Sequence, residues 1–195
     1  MICYLVRHGQ DDETVRGGWS AGSLTEKGIR QAESLARNME SLGIAHIYSS
    51  DLPRAMETGR ILAKGLGLSV EPLPQFREVN NGELAGMKNE IALVRYPGLF
   101  WNQLGWETCY PGGESPKLFY ERIRDAWEAF SGNLNGDTVL VTHGGVIQVI
   151  RTILENRPYS NAERHRKVDY AEAVVLTRER GNWKECKCLH HSGKE

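Results

Sequence analysis

The chain has 195 residues, of which 40% are hydrophobic and 25% charged, and its formal net charge is -1. This length fits one α/β domain with a full core, so we expect residues 1–195 to form a single domain. Balanced charge provides no long-range field for recruiting nucleic acid, and no apolar stretch reaches the roughly 20 residues that span a bilayer. Because the N-terminus also lacks the basic, apolar and small-residue regions of a signal peptide, we expect a cytoplasmic protein without nucleic-acid or membrane partners.

The first half of the chain predicts alternating strands and helices, because its apolar residues recur first with strand spacing and then with helix spacing. The predicted elements are a strand at residues 2–6, a helix from 25 to 43, a strand at 45–49, a helix from 53 to 65 and a short strand at 68–71. Thr25 is expected to cap the first helix, and Ser50 or Asp51 to cap the second, with Pro53 in its first turn.

The middle of the chain, from Pro72 to about Ser115, is rich in Gly, Pro, Asn and aromatic residues and predicts a long irregular excursion with one short helix near 88–95. The elements predicted after it are a helix at 115–131, a strand at 138–142, a helix at 145–154 and a hairpin of strands at 173–177 and 183–189. Alternating strands and helices with single crossovers predict an α/β fold, a three-layer αβα, doubly wound, mainly parallel sheet with an antiparallel hairpin at its edge.

Two of the predicted strands are followed by a histidine within two residues. His8 stands in Arg7-His8-Gly9 after the first strand, and His143 follows the strand at 138–142. Ligands of open α/β sheets bind in the crevice beyond the carboxyl ends of the strands, so such a pair indicates one active site. Arg54 follows a third predicted strand, at 45–49, and lies near the start of the next helix. Two arginines and two histidines in one crevice are typical of phosphate binding.

The residue types in this crevice fit phosphoryl transfer, which depends on positioning and on a cage of hydrogen-bond donors. Arg7 and Arg54 present planar guanidinium forks, and the amides of Gly144 and of its neighbour add N–H donors. An unprotonated imidazole is a competent phosphoryl acceptor, and a protonated one stabilises the oxyanion. The spacing alone leaves open which of the two histidines plays which part, although an adjacent glycine opens the ring of His8 to substrate.

A leaving alkoxide also needs a proton. In the irregular middle section, Glu78 is the candidate general acid and Glu83 the substitute. An exposed ion pair with Arg77 is the alternative for Glu78. The acidic run from Asp11 to Glu13 resembles a divalent-metal cluster, but a solvated acidic loop is the commoner outcome, and we expect no metal site.

Three further groups have ordinary structural interpretations. A single histidine at a strand end is more often structural than catalytic, and only the matched pair reverses this. Aromatic residues between 96 and 110 either form a lid over the substrate or anchor the long loop by packing, and packing is favoured for most of them. The four cysteines lack CxxC spacing and are expected to be free thiols.

Five motifs occur in the order found in the histidine phosphatase superfamily, and the chain resembles its phosphoglycerate mutase-like branch over residues 1 to about 155. They are Leu5-Val6-Arg7-His8-Gly9, Ser49-Ser50-Asp51-Leu52-Pro53-Arg54-Ala55, Arg77-Glu78 with Gly82-Glu83, Gly113-Glu114-Ser115 and Val141-Thr142-His143-Gly144-Gly145. The resemblance implies that His8 is the phosphorylated nucleophile, that Arg7, Arg54 and His143 hold the phosphoryl group, and that Glu78 donates the proton. It implies no metal or organic cofactor.

The first motif departs from the family pattern, which usually continues with Glu or Gln, then Thr, and an Asn three residues after that Thr. This chain has Gln10, Asp11, Asp12, Glu13 and Thr14. Three acidic residues beside a phosphate pocket would repel an anionic substrate tail. Gln10 and Thr14 remain as auxiliary phosphate contacts.

The resemblance favours a phosphomonoesterase that acts on a small-molecule phosphate ester, as a monomer or homodimer. A phosphoglycerate mutase is the first alternative, although the stretch between Glu78 and Gly113 is short for one. A non-catalytic phosphate-binding module is the second, against which the retained histidines, arginines and Glu78 argue. Similar proteins act on phosphosugars, phosphoglycerates, α-ribazole phosphate and phosphoproteins, and the sequence does not choose among these.

Overall fold

A computed structural model describes residues 1–163 and 166–190. Within these residues the strands are β1 (Ile2–Arg7), β2 (His46–Ser49), β3 (Val70–Pro72), β4 (Thr138–Thr142), β5 (Ala173–Glu179) and β6 (Asn182–Leu189). They form one sheet in the order β3-β2-β4-β1-β5-β6. The first four strands of this order are parallel to one another, whereas β5 runs antiparallel to both β1 and β6. The predicted mainly parallel sheet with an edge hairpin is confirmed.

The α-helices in the described part of the chain are α1 (Glu26–Met39), α2 (Pro53–Leu66), α3 (Asn89–Arg95), α4 (Pro116–Gly132) and α5 (Gly144–Leu154). Successive side chains of a strand point to opposite faces of the sheet. In β1, Leu5 accordingly belongs to the apolar cluster that contains α4 and α5, while Tyr4 and Val6 belong to the cluster that contains α1 and α2. Each face of the sheet is therefore covered by helices, which confirms the three-layer αβα prediction.

The two long helices of the first half begin in different ways. The hydroxyl of Thr25 accepts a hydrogen bond from the Gly28 amide at 3.1 Å, so it caps α1 as predicted. The predicted cap of α2 is wrong: Leu52 occupies that position without a side-chain cap bond, and Pro53 follows. Ser50 and Asp51 instead contact side chains distant in sequence. Gly67 ends α2 with a φ of 68°, a left-handed conformation that favours glycine.

The segment between β3 and α4 forms the irregular excursion that its composition predicts, with α3 and three short 3-10 turns. Its aromatic residues mostly pack, as in the stacked pair Trp101 and Tyr110, whereas Trp106 is 42% exposed. The cysteines are free thiols in the described residues, as predicted. Among those residues there is also no helix long and apolar enough to cross a membrane.

The strand order brings the two histidines together. In the parallel pairing of β1 with β4, Arg7 lies opposite Thr142. The amide of His8 donates a hydrogen bond to the Thr142 carbonyl at 3.0 Å. The residues that follow these strands are consequently neighbours at the carboxyl edge of the sheet.

Candidate active site

His8 is held in one orientation by its own loop. Its side chain is 4% exposed, and Nδ1 lies 2.7 Å from the Gly9 carbonyl, to which it donates. Nε2 is then unprotonated, and it accepts a hydrogen bond from Nε of Arg54 at 3.3 Å. Gly9 is required for close packing, because a Cβ there would lie 2.4 Å from the Gly28 carbonyl oxygen. The sequence interpretation, in which Gly9 admits substrate to the ring, missed this contact.

The second imidazole packs beside the first. The ring of His143 is fully buried, with its centroid 5.1 Å from that of His8. Its Nε2 lies 2.8 Å from the hydroxyl of Ser50, which explains why Ser50 does not cap α2. Nδ1 is buried without a hydrogen-bond partner among the described residues. When Ser50 donates to Nε2, Nδ1 carries a hydrogen that is available to an anion.

Burial lowers the pKa of both imidazoles well below the usual value of 6.5, and the positive charges of Arg54 and Arg7 lower each pKa further. Both rings are therefore neutral at physiological pH. For His8, neutrality means that Nε2 bears a lone pair instead of a hydrogen, and this lone pair accepts from Nε of Arg54. For His143, it means that stabilisation of an anion comes from a neutral N–H donor, not from the protonated ring that the sequence left open.

Arg54 is fixed by backbone oxygens that the sequence did not reveal. Its side chain is 2% exposed and donates to the carbonyls of Gly18, at 2.7 Å, and Ser20, at 3.3 Å. It also reaches the Ser20 hydroxyl at 3.2 Å. These contacts aim its remaining Nε–H at His8 without a side-chain rearrangement, which is the preorganisation that electrostatic stabilisation of an anion requires.

Arg7 is fixed from the opposite side by Tyr170, which sequence reasoning missed. Nη1 of Arg7 donates to the Val168 carbonyl at 2.8 Å, and its Cζ lies 3.8 Å from the centroid of the Tyr170 ring. The next residue, Ala171, has a φ of 52° and donates its amide to the Arg7 carbonyl. Nε of Arg7 is buried and has no hydrogen-bond partner among the described residues. Like Nδ1 of His143, it is a donor that an anion would satisfy.

The side chain of Glu78 reaches the first turn of α5. Its carboxylate accepts hydrogen bonds from the amides of Val79 and Gly145, both at 3.0 Å. The sequence led us to expect the Gly145 amide to donate to phosphate. In the structure this amide donates to Glu78 instead. A Cβ on Gly145 would lie 2.3 Å from a carboxylate oxygen of Glu78. The alternative pairing with Arg77 is wrong, because Arg77 binds Asp51 at 2.6 Å.

A cavity of about 280 Å³ lies over these groups, and its lining includes four of the predicted site residues: Arg7, His8, Arg54 and Glu78. His143 and Gly144 are not among the lining residues, but the His143 ring packs against that of His8, and a Cβ on Gly144 would be 3.7 Å from Arg7 Nε. The predicted auxiliary residues are directed elsewhere. The Gln10 amide donates to Glu13 at 3.1 Å, and the Thr14 hydroxyl donates to Asp12 at 2.7 Å.

The acidic run from Asp11 to Glu13 lines the same cavity. In the described part of the chain, no group of three or more His, Cys, Asp or Glu side chains is arranged to hold a metal ion. The carboxylate of Asp11 faces Arg54, and that of Glu13 accepts from Tyr170 at 3.1 Å. Asp11 and Glu13 thus contact the side chains of Arg54 and Tyr170.

We expect the rings of His8 and His143 to remain neutral at about pH 6, where an exposed imidazole is mostly protonated. Both pKa values lie well below 6.5, so these two rings become protonated only at a lower pH than an exposed imidazole. Spectra of ¹⁵N-labelled histidine, assigned with His8→Asn, measure charge and tautomer together. For His8 we expect hydrogen on Nδ1 and none on Nε2. A His8 ring that titrates near the ordinary value, or that carries its hydrogen on Nε2, would contradict this geometry.

Comparisons with known proteins agree on one superfamily. The model of the histidine phosphatase superfamily (branch 1) matches residues 3–188. "Probable phosphoglycerate mutase GpmB" of Yersinia pestis (strain Pestoides F) is 44% identical over 188 residues, which cover 89% of this chain and 86% of that protein. The structure of mycobacterial glucosyl-3-phosphoglycerate phosphatase matches with a TM-score of 0.79 and 26% identity, over 95% of this chain and 96% of that one. The α-ribazole phosphatase of Shigella flexneri shares the fold, with a TM-score of 0.82 at 22% identity over the whole of both chains.

Proposed function

Because the chain belongs to the histidine phosphatase superfamily (branch 1), we propose that it is a phosphomonoesterase that hydrolyses small phosphorylated metabolites through a phosphohistidine at His8. The observation that carries this proposal is the state of the His8 ring. Its Nδ1 is engaged by the Gly9 carbonyl, while Nε2 is unprotonated and lies 3.3 Å from the guanidinium of Arg54. A nucleophilic nitrogen is therefore held beside a cation that would bind the phosphoryl oxygens.

In the first step, Nε2 of His8 attacks phosphorus and the bond to the ester oxygen breaks. Arg7 and Arg54 hold the equatorial oxygens, and His143 donates to the same group from Nδ1. The absence of another hydrogen-bond partner for this buried Nδ1 among the described residues supports that role. Protonated Glu78 gives its proton to the leaving oxygen, so that an alcohol departs.

In the second step, water attacks the phosphorus of the phosphohistidine and the bond from phosphorus to Nε2 breaks. Glu78, now a carboxylate, takes a proton from that water, which restores its acid form. Inorganic phosphate leaves and His8 returns to its neutral state. Because Glu78 and His8 line the same cavity, the one carboxyl group of Glu78 can act as acid in the first step and as base in the second.

A phosphoglycerate mutase remains the second candidate, since a relative with 44% identity carries that name. In that reaction, the phosphoryl group would return from His8 to another hydroxyl of the same skeleton. Incubation with 3-phosphoglycerate separates the two, because a mutase yields 2-phosphoglycerate and a phosphatase yields glycerate with inorganic phosphate.

Release of p-nitrophenol from p-nitrophenyl phosphate tests the catalytic proposal, and we expect turnover to persist in excess EDTA. The reason is that Arg7 and Arg54 supply the positive charge that a metal ion would otherwise provide. A second assay, which screens a panel of metabolite phosphates for release of inorganic phosphate, identifies the substrate class.

Absence of turnover with every ester would favour a non-catalytic phosphate-binding module. Activity that is lost with EDTA and restored by magnesium or zinc would require a metal at the acidic run from Asp11 to Glu13. Either result would overturn the mechanism described above.

A further inference from the structure

Asp11 differs from its acidic neighbours in its position in the cavity. Its Oδ2 lies 3.4 Å from Nε of Arg54, the same nitrogen that donates to Nε2 of His8. The Asp11 side chain is only 12% exposed. Its backbone is held by an antiparallel bridge to Leu24. The structure therefore holds a carboxylate against the guanidinium that donates to the nucleophilic nitrogen.

The two neighbouring carboxylates are directed to other groups. Asp12 accepts from the amide and hydroxyl of Thr14, at 2.9 and 2.7 Å. Glu13 accepts from Gln10 and Tyr170, at 3.1 Å each. Both still line the same cavity, so their negative charge adds to that of Asp11 there. Asp11 is the member of this run that directly faces the cationic floor of the cavity.

The charges that line the cavity do not balance. Two guanidiniums, of Arg7 and Arg54, face the three carboxylates of Asp11, Asp12 and Glu13. Glu78 also lines the cavity, but in the proposed mechanism it is protonated when the ester binds and adds no charge. A bound phosphoryl group neutralises the positive charges of Arg7 and Arg54. The alcohol portion of the ester then lies near Asp11, Asp12 and Glu13, and the other residues that line this part of the cavity, such as Val15 and Tyr170, are uncharged. A like charge within several ångströms lowers affinity by about one to two orders of magnitude in a partly buried site.

We infer that Asp11 is a specificity-determining residue that restricts the site to phosphate monoesters whose alcohol portion is neutral or cationic, and that it rejects esters of anionic alcohols such as phosphoglycerates. This inference rests on the proposed phosphatase function. It distinguishes the chain from relatives whose names refer to phosphoglycerates, since those compounds carry a carboxylate beside the phosphate. The neutral or ammonium-bearing alcohol would instead donate hydrogen bonds to these carboxylates of the cavity.

The test compares two esters that share a skeleton. Glycerol 3-phosphate and 3-phosphoglycerate differ in that a hydroxymethyl group replaces a carboxylate. At about pH 8, we expect the wild-type kcat/KM for glycerol 3-phosphate to exceed that for 3-phosphoglycerate by about 10- to 100-fold. Ethanolamine phosphate, whose alcohol is cationic, should be hydrolysed at least as efficiently as glycerol 3-phosphate.

Asp11→Asn keeps the size of the side chain and removes its charge, and we expect it to lower the ratio of the two kcat/KM values at least about fivefold, mainly by raising kcat/KM for 3-phosphoglycerate. Asp125→Asn is the matched control, because Asp125 is 67% exposed on α4 and its removal makes the same change in net charge. The control ratio should equal that of the wild type. Asp11→Ser provides a second variant if Asp11→Asn fails to fold.

Each outcome bears on a different claim. No turnover of p-nitrophenyl phosphate or of any of the three esters would overturn the proposed function itself. Turnover with equal efficiency on glycerol 3-phosphate and 3-phosphoglycerate, or with preference for the latter, would overturn only the role of charge. An unchanged ratio in both Asp11 variants would transfer that role to Asp12 or Glu13 and overturn the assignment to Asp11.

Discussion

Replacement of His8 with alanine is expected to lower kcat for every phosphate ester by roughly four to six orders of magnitude, the size of loss seen when an enzyme loses its nucleophile. Without Nε2, water would have to attack the ester directly, and the two-step route would be closed. Arg7 and Arg54 would still bind the phosphate in the variant. The loss should therefore appear in kcat, with little change in the affinity for inorganic phosphate.

The control for this prediction is His46→Ala. His46 begins β2 and packs beside Tyr48, with a ring separation of 6.2 Å, away from the cavity. We expect this variant to retain activity within a few-fold of the wild type. Activity of His8→Ala at a tenth of the wild-type level or more, with a folded protein by circular dichroism, would remove His8 from the mechanism and make His143 the next candidate nucleophile.

Replacement of Glu78 with glutamine is expected to lower kcat by about two to four orders of magnitude with alkyl phosphates and by less than about tenfold with p-nitrophenyl phosphate. An alkoxide leaves poorly unless it is protonated, whereas p-nitrophenolate leaves with little help. Glutamine preserves the shape of the side chain but has no transferable carboxylic proton. Steady-state kinetics with both substrates on one protein preparation measure the contrast.

The glycines at the start of α5 provide a matched pair for the same assay. A Cβ on Gly145 would clash with Glu78 at 2.3 Å, whereas one on Gly144 meets Arg7 Nε at an ordinary 3.7 Å. Gly145→Ala should therefore reproduce the substrate contrast of Glu78→Gln, and Gly144→Ala should not. Equal losses with both substrates in Glu78→Gln would mean that Glu78 positions the phosphate or supports the fold, and Glu83 would become the candidate acid.

The grouping of His8, His143 and Arg54 in one crevice could be predicted from sequence because it depends on a general property of the fold. Parallel strands end at one edge of the sheet, so residues that follow β1, β2 and β4 become neighbours whatever their separation in the chain. Continuous apolar runs were sufficient to place β1 and β4, which are buried along nearly their whole length. The sequence predicted a doubly wound sheet but no strand order, and the order comes from the structure.

The role of Tyr170 could not be predicted, because no local pattern encodes it. Tyr170 lies in an irregular stretch before β5, and its contact with Arg7 joins residues that are far apart in sequence. The wrong cap of α2 has the same cause. Ser50 and Asp51 are good capping residues by local propensity, but Ser50 contacts His143 and Asp51 binds Arg77. Tertiary contacts of the site thus override the local preference.

The most direct test of the phosphohistidine proposal is capture of the intermediate. Wild-type protein is mixed briefly with ³²P-labelled substrate, quenched with alkali and digested, and the labelled peptide is identified by mass spectrometry. We predict label on the peptide that contains His8, stable in base and lost in acid, as expected for a nitrogen–phosphorus bond, and absent from His8→Ala. Turnover without any base-stable label on that peptide, or label on another residue, would contradict the proposed mechanism.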